Sequence, residues 1–206
     1  MKKIAILALC LALALLLCAC GETRFARDAD GFGYTDTKTE IHYTALSSRY
    51  EAGSCGEAVG SYYIDKKDDP VTTFYLIPDL DGALYLTDDY GHVYTAAQTL
   101  PNAAEWNVTA ISVCDEDAVS FATSTIRDAA TISLICSAWF EGEGAELPMK
   151  RPSFSKRLKL SSPDYPNLYY CFSFFAFDEG EAYLFDTEDD RTVACSAEII
   201  AAIMGK

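Results

Sequence analysis

Two histidines, five cysteines beyond the first twenty residues and several close pairs of acids are the side chains here that could do chemistry. A Cys–His nucleophile needs an imidazole within hydrogen-bond reach of a thiol, so His92 would have to meet Cys114, Cys136 or another thiol. His92 stands in Tyr90-Gly91-His92-Val93-Tyr94, a hairpin shoulder where an exposed polar side chain is ordinary. His42 alternates with Ile41 and Tyr43 and belongs on the opposite, exposed face of its strand. The sequence has no H-E-x-x-H, no G-x-S-x-G and no glycine-rich phosphate loop. Asp79-x-Asp81-Gly82 and Asp88-Asp89 offer the oxygens that hard cations prefer. An EF-hand has its glycine at loop position six, whereas Gly82 stands at position four, so these read as acidic hairpin tips. With 31 acidic residues, no carboxylate pair can be singled out for glycoside hydrolysis. The sequence thus assigns no catalytic residue, no metal ligand and no cofactor.

One charge feature runs against the rest. Lys150, Arg151, Lys156, Arg157 and Lys159 form a basic cluster in a chain with 16 basic and 31 acidic residues and a net charge of −15. Lysines on an edge strand discourage edge-to-edge pairing, which is the plain reading. The functional expectation is contact with anionic lipid or an envelope polymer. Nucleic acid is excluded as a partner, because phosphate binding rests on an excess of Lys and Arg.

The elements that must position these groups are short. Glu22–Phe32 is charged and aperiodic and reads as a tether. Gly33–Ala45 reads as a hairpin and Ser47–Gly60 as a loop holding Cys55. Tyr62–Ile64, Thr73–Ile77, Ala83–Leu86 and Val93–Ala96 are strands separated by Asp-, Pro- and Gly-containing turns, the pattern of a β-meander. Trp106 follows a short helical turn as a core plug. Val108–Cys114 and Val119–Ile126 are strands. Asp128 then caps a helix over Ala129–Phe140, with Ile132, Ile135, Cys136 and Trp139 at helical spacing. Phe154–Leu160 is a strand, and Leu168–Phe177, apolar on both faces, is a central one. Ala182–Phe185 and Thr192–Cys195 complete the sheet, and Ser196 caps a last helix, Ala197–Met204. Tyr85-Leu86-x-Asp88 before Val93 is echoed by Tyr183-Leu184-x-Asp186 before Val193. The fold expected is α+β, an antiparallel meander with two helices packed on one face. It spans 34–206 as one domain or as two subdomains, 34–106 and 107–206.

The N-terminus decides where this domain lives. Lys2 and Lys3 precede an apolar run, Ile4–Leu17, which is shorter than the roughly 20 residues needed to span hydrocarbon. A positive start, a short apolar middle and a small-residue exit describe a secretory signal peptide. Leu17-Cys18-Ala19-Cys20 resembles the lipobox of bacterial lipoproteins, and the remainder is similar to bacterial surface lipoproteins in general character. The resemblance implies cleavage after Ala19 (residues 1–19 removed), a lipid on Cys20 and a tether over 20–33. It also implies attachment to the cell membrane on the side away from the cytoplasm. Losing Lys2 and Lys3 takes the net charge from −15 to −17. Cys55, Cys114, Cys136, Cys171 and Cys195 are an odd set with wide spacing, not a disulfide framework. The function expected is a non-enzymatic binding, accessory or sensor module, with its membrane and an envelope polymer or protein as partners. An envelope hydrolase is the alternative, and a cluster of His92 with a thiol and a carboxylate would favour it.

Overall fold

The computed structural model describes residues 23–65, 69–99, 101–115 and 121–205. The leader and the Leu17–Cys20 box lie outside them. The fold is mostly β and contains a closed barrel, which corrects the expected α+β meander. The barrel uses β1 (Thr23–Arg27), β2 (Gly33–Asp36), β3 (His42–Ala45), β5 (Ala58–Tyr62), β6 (Thr72–Leu76), β7 (Tyr85–Asp88) and β8 (Val93–Thr95). Their order is β1-β2-β3-β8-β7-β6-β5. Parallel pairing of β1 with β5, Thr23 opposite Gly60 and Phe25 opposite Tyr62, closes the ring. Phe25, Tyr34, Tyr43, Phe74, Leu86 and Tyr94 fill it. Phe74 is the hub, with ring centroids 4.4 Å from Phe25, 4.8 Å from Tyr34 and 5.3 Å from Tyr94.

β9 (Ala110–Asp115), β10 (Ala122–Ile126), β11 (Phe154–Ser161), β12 (Leu168–Ala176), β13 (Ala182–Asp186) and β14 (Arg191–Ala194) form a second, antiparallel sheet ordered β10-β9-β11-β12-β13-β14. β4 (Tyr50–Ala52) leaves the barrel and pairs with the start of β12, so it ties the two sheets together. Helices α1 (Ala129–Glu141) and α2 (Ala197–Met204) begin at the expected caps: Asp128 accepts from the Thr131 N–H and Ser196 from that of Ile199. Gly205, at φ 69°, ends α2 in the left-handed region where a side chain would be strained. Ile132, Ile135 and Trp139 of α1 and Ile199 and Ile203 of α2 join Ile111, Val113, Leu158, Leu160, Phe172, Phe174 and Leu184 in one core. Trp139 stacks on Phe172 at 4.5 Å and 11° and donates to the Tyr170 hydroxyl at 3.3 Å.

Three finer expectations also change. Residues 23–27, assigned to a tether, form β1, because a barrel strand needs only one large inward side chain, here Phe25, and one ring leaves no periodic trace. Ser47–Gly60 is not a loop throughout; it holds β4 and most of β5, whose buried Gly60 and Ser61 carry no hydrophobic signal. Phe154–Leu160 is not an edge: β11 pairs with β9 on one side and β12 on the other. The subdomain boundary expected at 106–107 falls between the last barrel strand and β9, although β4 crosses it.

Candidate functional site

β11 positions the basic cluster, and pleating divides it. Lys156 shares the face of Leu158 and Leu160, is buried at the strand end and pairs with Asp115. Arg157 and Lys159 project from the other face and converge on Glu51 of β4. Lys159 pairs with one carboxylate oxygen, the Arg157 Nε lies 3.4 Å from the other, and the Cys171 thiol donates to that oxygen at 3.6 Å. Lys150 is 3.6 Å from Glu181 and half-exposed, and Arg151 is exposed. Three of the five cations are thus held in internal ion pairs rather than in one outward patch.

Beside Glu51 and Lys159 lies a polar recess of about 300 Å³ between the barrel and the second sheet, which Ser112, Cys114, Cys55 and Tyr169 also line. The surroundings of its thiols disfavour the thiolate. Burial pushes Cys114 up, and burial followed by the nearby Asp89 and Asp88 carboxylates pushes Cys55 up. Cys171, behind it, is raised to about 12, chiefly by burial. The Cys55 thiol donates to the Asp88 carbonyl at 3.6 Å, while the Asp88 carboxylate takes the His92 Nδ1 at 2.8 Å. Among the described residues no hydrogen bond joins a histidine to a thiol. Asp88 is buried and also accepts from the Tyr90 and His92 backbone N–H groups and the Tyr94 hydroxyl. That makes it the organiser of a turn in which Gly91, at φ 82°, supplies the left-handed residue. Asp81 likewise accepts from the Ala83 N–H and Asp89 from the Tyr75 hydroxyl. Among the described residues no three of His, Cys, Asp and Glu converge as metal ligands.

The larger concavity is elsewhere, and the site expectations did not include it. A half-open cleft of about 470 Å³ runs between α1 and the segment 103–109. Ala129, Ile132, Ser133, Cys136 and Phe140 form its helical wall, spaced along one stripe of α1. Ile135 and Trp139, on the neighbouring stripe, meet the sheet, and Ile132, which lies between the two stripes, belongs to the same core. Facing them are Ala103, Trp106 and Val108. This second wall is pinned: Trp106 stacks on Tyr165 at 5.0 Å, the Asn107 N–H reaches Asp164 at 3.0 Å, and the Thr109 N–H reaches the Ser161 carbonyl at 3.0 Å. Burial raises the Cys136 thiol to about 11, which keeps it neutral and apolar. Arg127 stands exposed at the mouth and, among the described residues, makes no hydrogen bond or ion pair. The signal was present in the sequence as a helix apolar round most of its circumference, more than one sheet contact requires.

No family model, curated protein or solved structure matches this chain.

Proposed function

We infer that the chain is an extracytoplasmic lipoprotein, cleaved after Ala19 and held to the cell membrane by a lipid on Cys20, and that it acts as a non-enzymatic binding module of accessory or sensor type. The observation that carries the binding half is the α1 cleft. Its volume falls in the range of small-molecule sites, its walls are apolar and aromatic, and one guanidinium stands at its mouth. Such a site suits a small amphiphile whose apolar body lies between Trp106 and Phe140 and whose acidic end meets Arg127. The leader supports the anchoring half through its Leu17–Cys20 box.

Decanoate is a suitable probe for the cleft. At a hundredfold excess over Kd, a ligand of the folded state stabilises it by about 2.7 kcal/mol, which raises Tm by roughly 5–10 °C in a chain of this size. Wild type should show that rise, and Ser133→Trp, which plugs the cleft from its exposed wall, should not. Equal shifts in both proteins, or none in wild type, would remove the cleft from the function. For the anchor, cells producing Cys20→Ala should accumulate an unprocessed precursor that takes up no labelled fatty acid. Normal processing and labelling of that variant would end the lipoprotein assignment.

A further inference from the structure

We propose that the polar recess between the barrel and the second sheet binds one neutral sugar ring, free or as the end unit of a glycan. The recess lies on the sheet face away from the helices. Ser112 of β9 and Lys159 of β11 stand directly opposite each other there. They alternate with Ile111, Val113, Leu158 and Leu160, which pack in one core with α1 and α2 on the other face. β4 and the turn after β7 close the recess from the barrel side, and the pairing of β4 with β12 and the Glu51–His92 bridge fix them in place. Gly53, directly after β4, makes room, since a Cβ there would stand 2.6 Å from the Tyr169 ring. A volume of about 300 Å³ is at the lower end for small-molecule sites, enough for one sugar ring rather than a chain.

The polar groups that the fold leaves unpaired select the ligand. The hydroxyls of Ser54, Tyr90, Ser112 and Tyr169 all belong to residues lining the recess, and none makes a hydrogen bond among the described residues. Each can donate and accept, as can every hydroxyl of a sugar. The charges, by contrast, are matched within the protein. Lys159, the one cation lining the recess among the described residues, pairs with Glu51, whose other oxygen faces Arg157. An anion would therefore meet no free counter-charge, only the carboxylate of Asp89. Asp89 takes the Tyr75 hydroxyl on Oδ1, and its Oδ2 remains to accept from a sugar hydroxyl. Tyr90 is 81% exposed and offers an apolar ring to the C–H face of a sugar. The α1 cleft, with apolar walls on the opposite face of the sheet, has the reverse chemistry, so the two sites take different ligands.

Residues 21–206 contain every described element and can be titrated with sugars while amide shifts are followed by nuclear magnetic resonance. Methyl β-glucoside, methyl β-galactoside and N-acetylglucosamine are the neutral probes, and galacturonate and glucosamine are their charged counterparts. At least one neutral probe should shift the Gly53, Gly91 and Ser112 amides saturably and leave those of Ser133 and Cys136 in the α1 cleft unmoved. Tyr90→Ala and Ser112→Ala, each checked for an unaltered melting curve, should weaken binding, the first by about tenfold. Ser133→Trp, which plugs the α1 cleft, should leave it unchanged, so the two sites fail separately. Cellotetraose distinguishes the two sources of the ring: a response equal to that of methyl β-glucoside means that the end unit of a glycan is accepted, and a lost response means a free sugar, and both uphold the site. Absence of a response to all three neutral probes, a response unchanged in both recess variants, or a stronger response to either charged probe would overturn the proposal.

Discussion

Deleting residues 196–206 should leave a chain that is largely unfolded or melts far below wild type. α2 covers the second sheet with Ile199 and Ile203, 1% and 3% exposed, while Ile200 and Met204 pack on the margin of the same core. Each large apolar side chain fully buried contributes about 1.5–3 kcal/mol, so two buried and two half-buried ones sum to roughly 4.5–9 kcal/mol. A whole domain is stable by only about 5–15 kcal/mol. Urea unfolding of residues 21–206 and 21–195, followed by tryptophan fluorescence and near-ultraviolet circular dichroism, measures the difference. Loss of the Trp139–Phe172 near-ultraviolet signal should accompany it. The point variant Ile199→Ala should cost about 2–5 kcal/mol by cavity formation, with the fold retained. A truncated chain with an unchanged midpoint would make α2 a free tail.

That helix was legible because its cap, Ser196, and its apolar side, Ile199, Ile200, Ile203 and Met204, stand within nine consecutive residues. Asp128 and the stripe Ile132, Ile135, Trp139 made α1 legible in the same way, and the aromatic run of β12 marked it as an interior strand. The barrel was not legible, because its closure depends on pairing between residues 23–25 and 60–62, and both partners lack an alternating pattern. The echo of Tyr85-Leu86-x-Asp88 in Tyr183-Leu184-x-Asp186 reflects one local device used twice. In each, a buried aspartate ending a strand accepts the N–H two residues on, that of Tyr90 at 2.9 Å and that of Glu188 at 2.7 Å. One copy stands in a closed barrel and the other in an open sheet, so the repetition belongs to the turn and not to the domain. The basic cluster was read as an outward feature because sequence shows charge but not the strand that will lie opposite. Glu51, the acid that neutralises two of the five cations, is more than one hundred positions away.

That distant acid carries the second large effect. Glu51→Ala should destabilise the protein by about 2–3 kcal/mol, below the roughly 3–5 kcal/mol of a fully buried ion pair because the Glu51 side chain keeps 20% of its surface exposed. Lys159 is 6% exposed and Arg157 lies beside it on the same face, so the loss leaves two like charges without their carboxylate. It also frees the Cys171 thiol from its acceptor and weakens the seam between the two sheets. Glu51 belongs to β4, which pairs with β12, bridges to His92 and donates from the Ala52 N–H to the Gly91 carbonyl at 3.0 Å. Replacing the pair as a whole behaves differently, since a buried ion pair exchanged for apolar residues of similar volume is often neutral or stabilising. Glu51→Leu/Lys159→Met should therefore recover more than half of the loss, the remainder reflecting Arg157, which still lacks its partner. Urea midpoints of the wild type, the Glu51→Leu and Lys159→Met variants and the double variant read the coupling directly. A Glu51→Ala cost below about 1 kcal/mol, the size of a solvent-screened surface pair, would mean that Lys159 reaches water by another path and that the seam does not depend on this carboxylate.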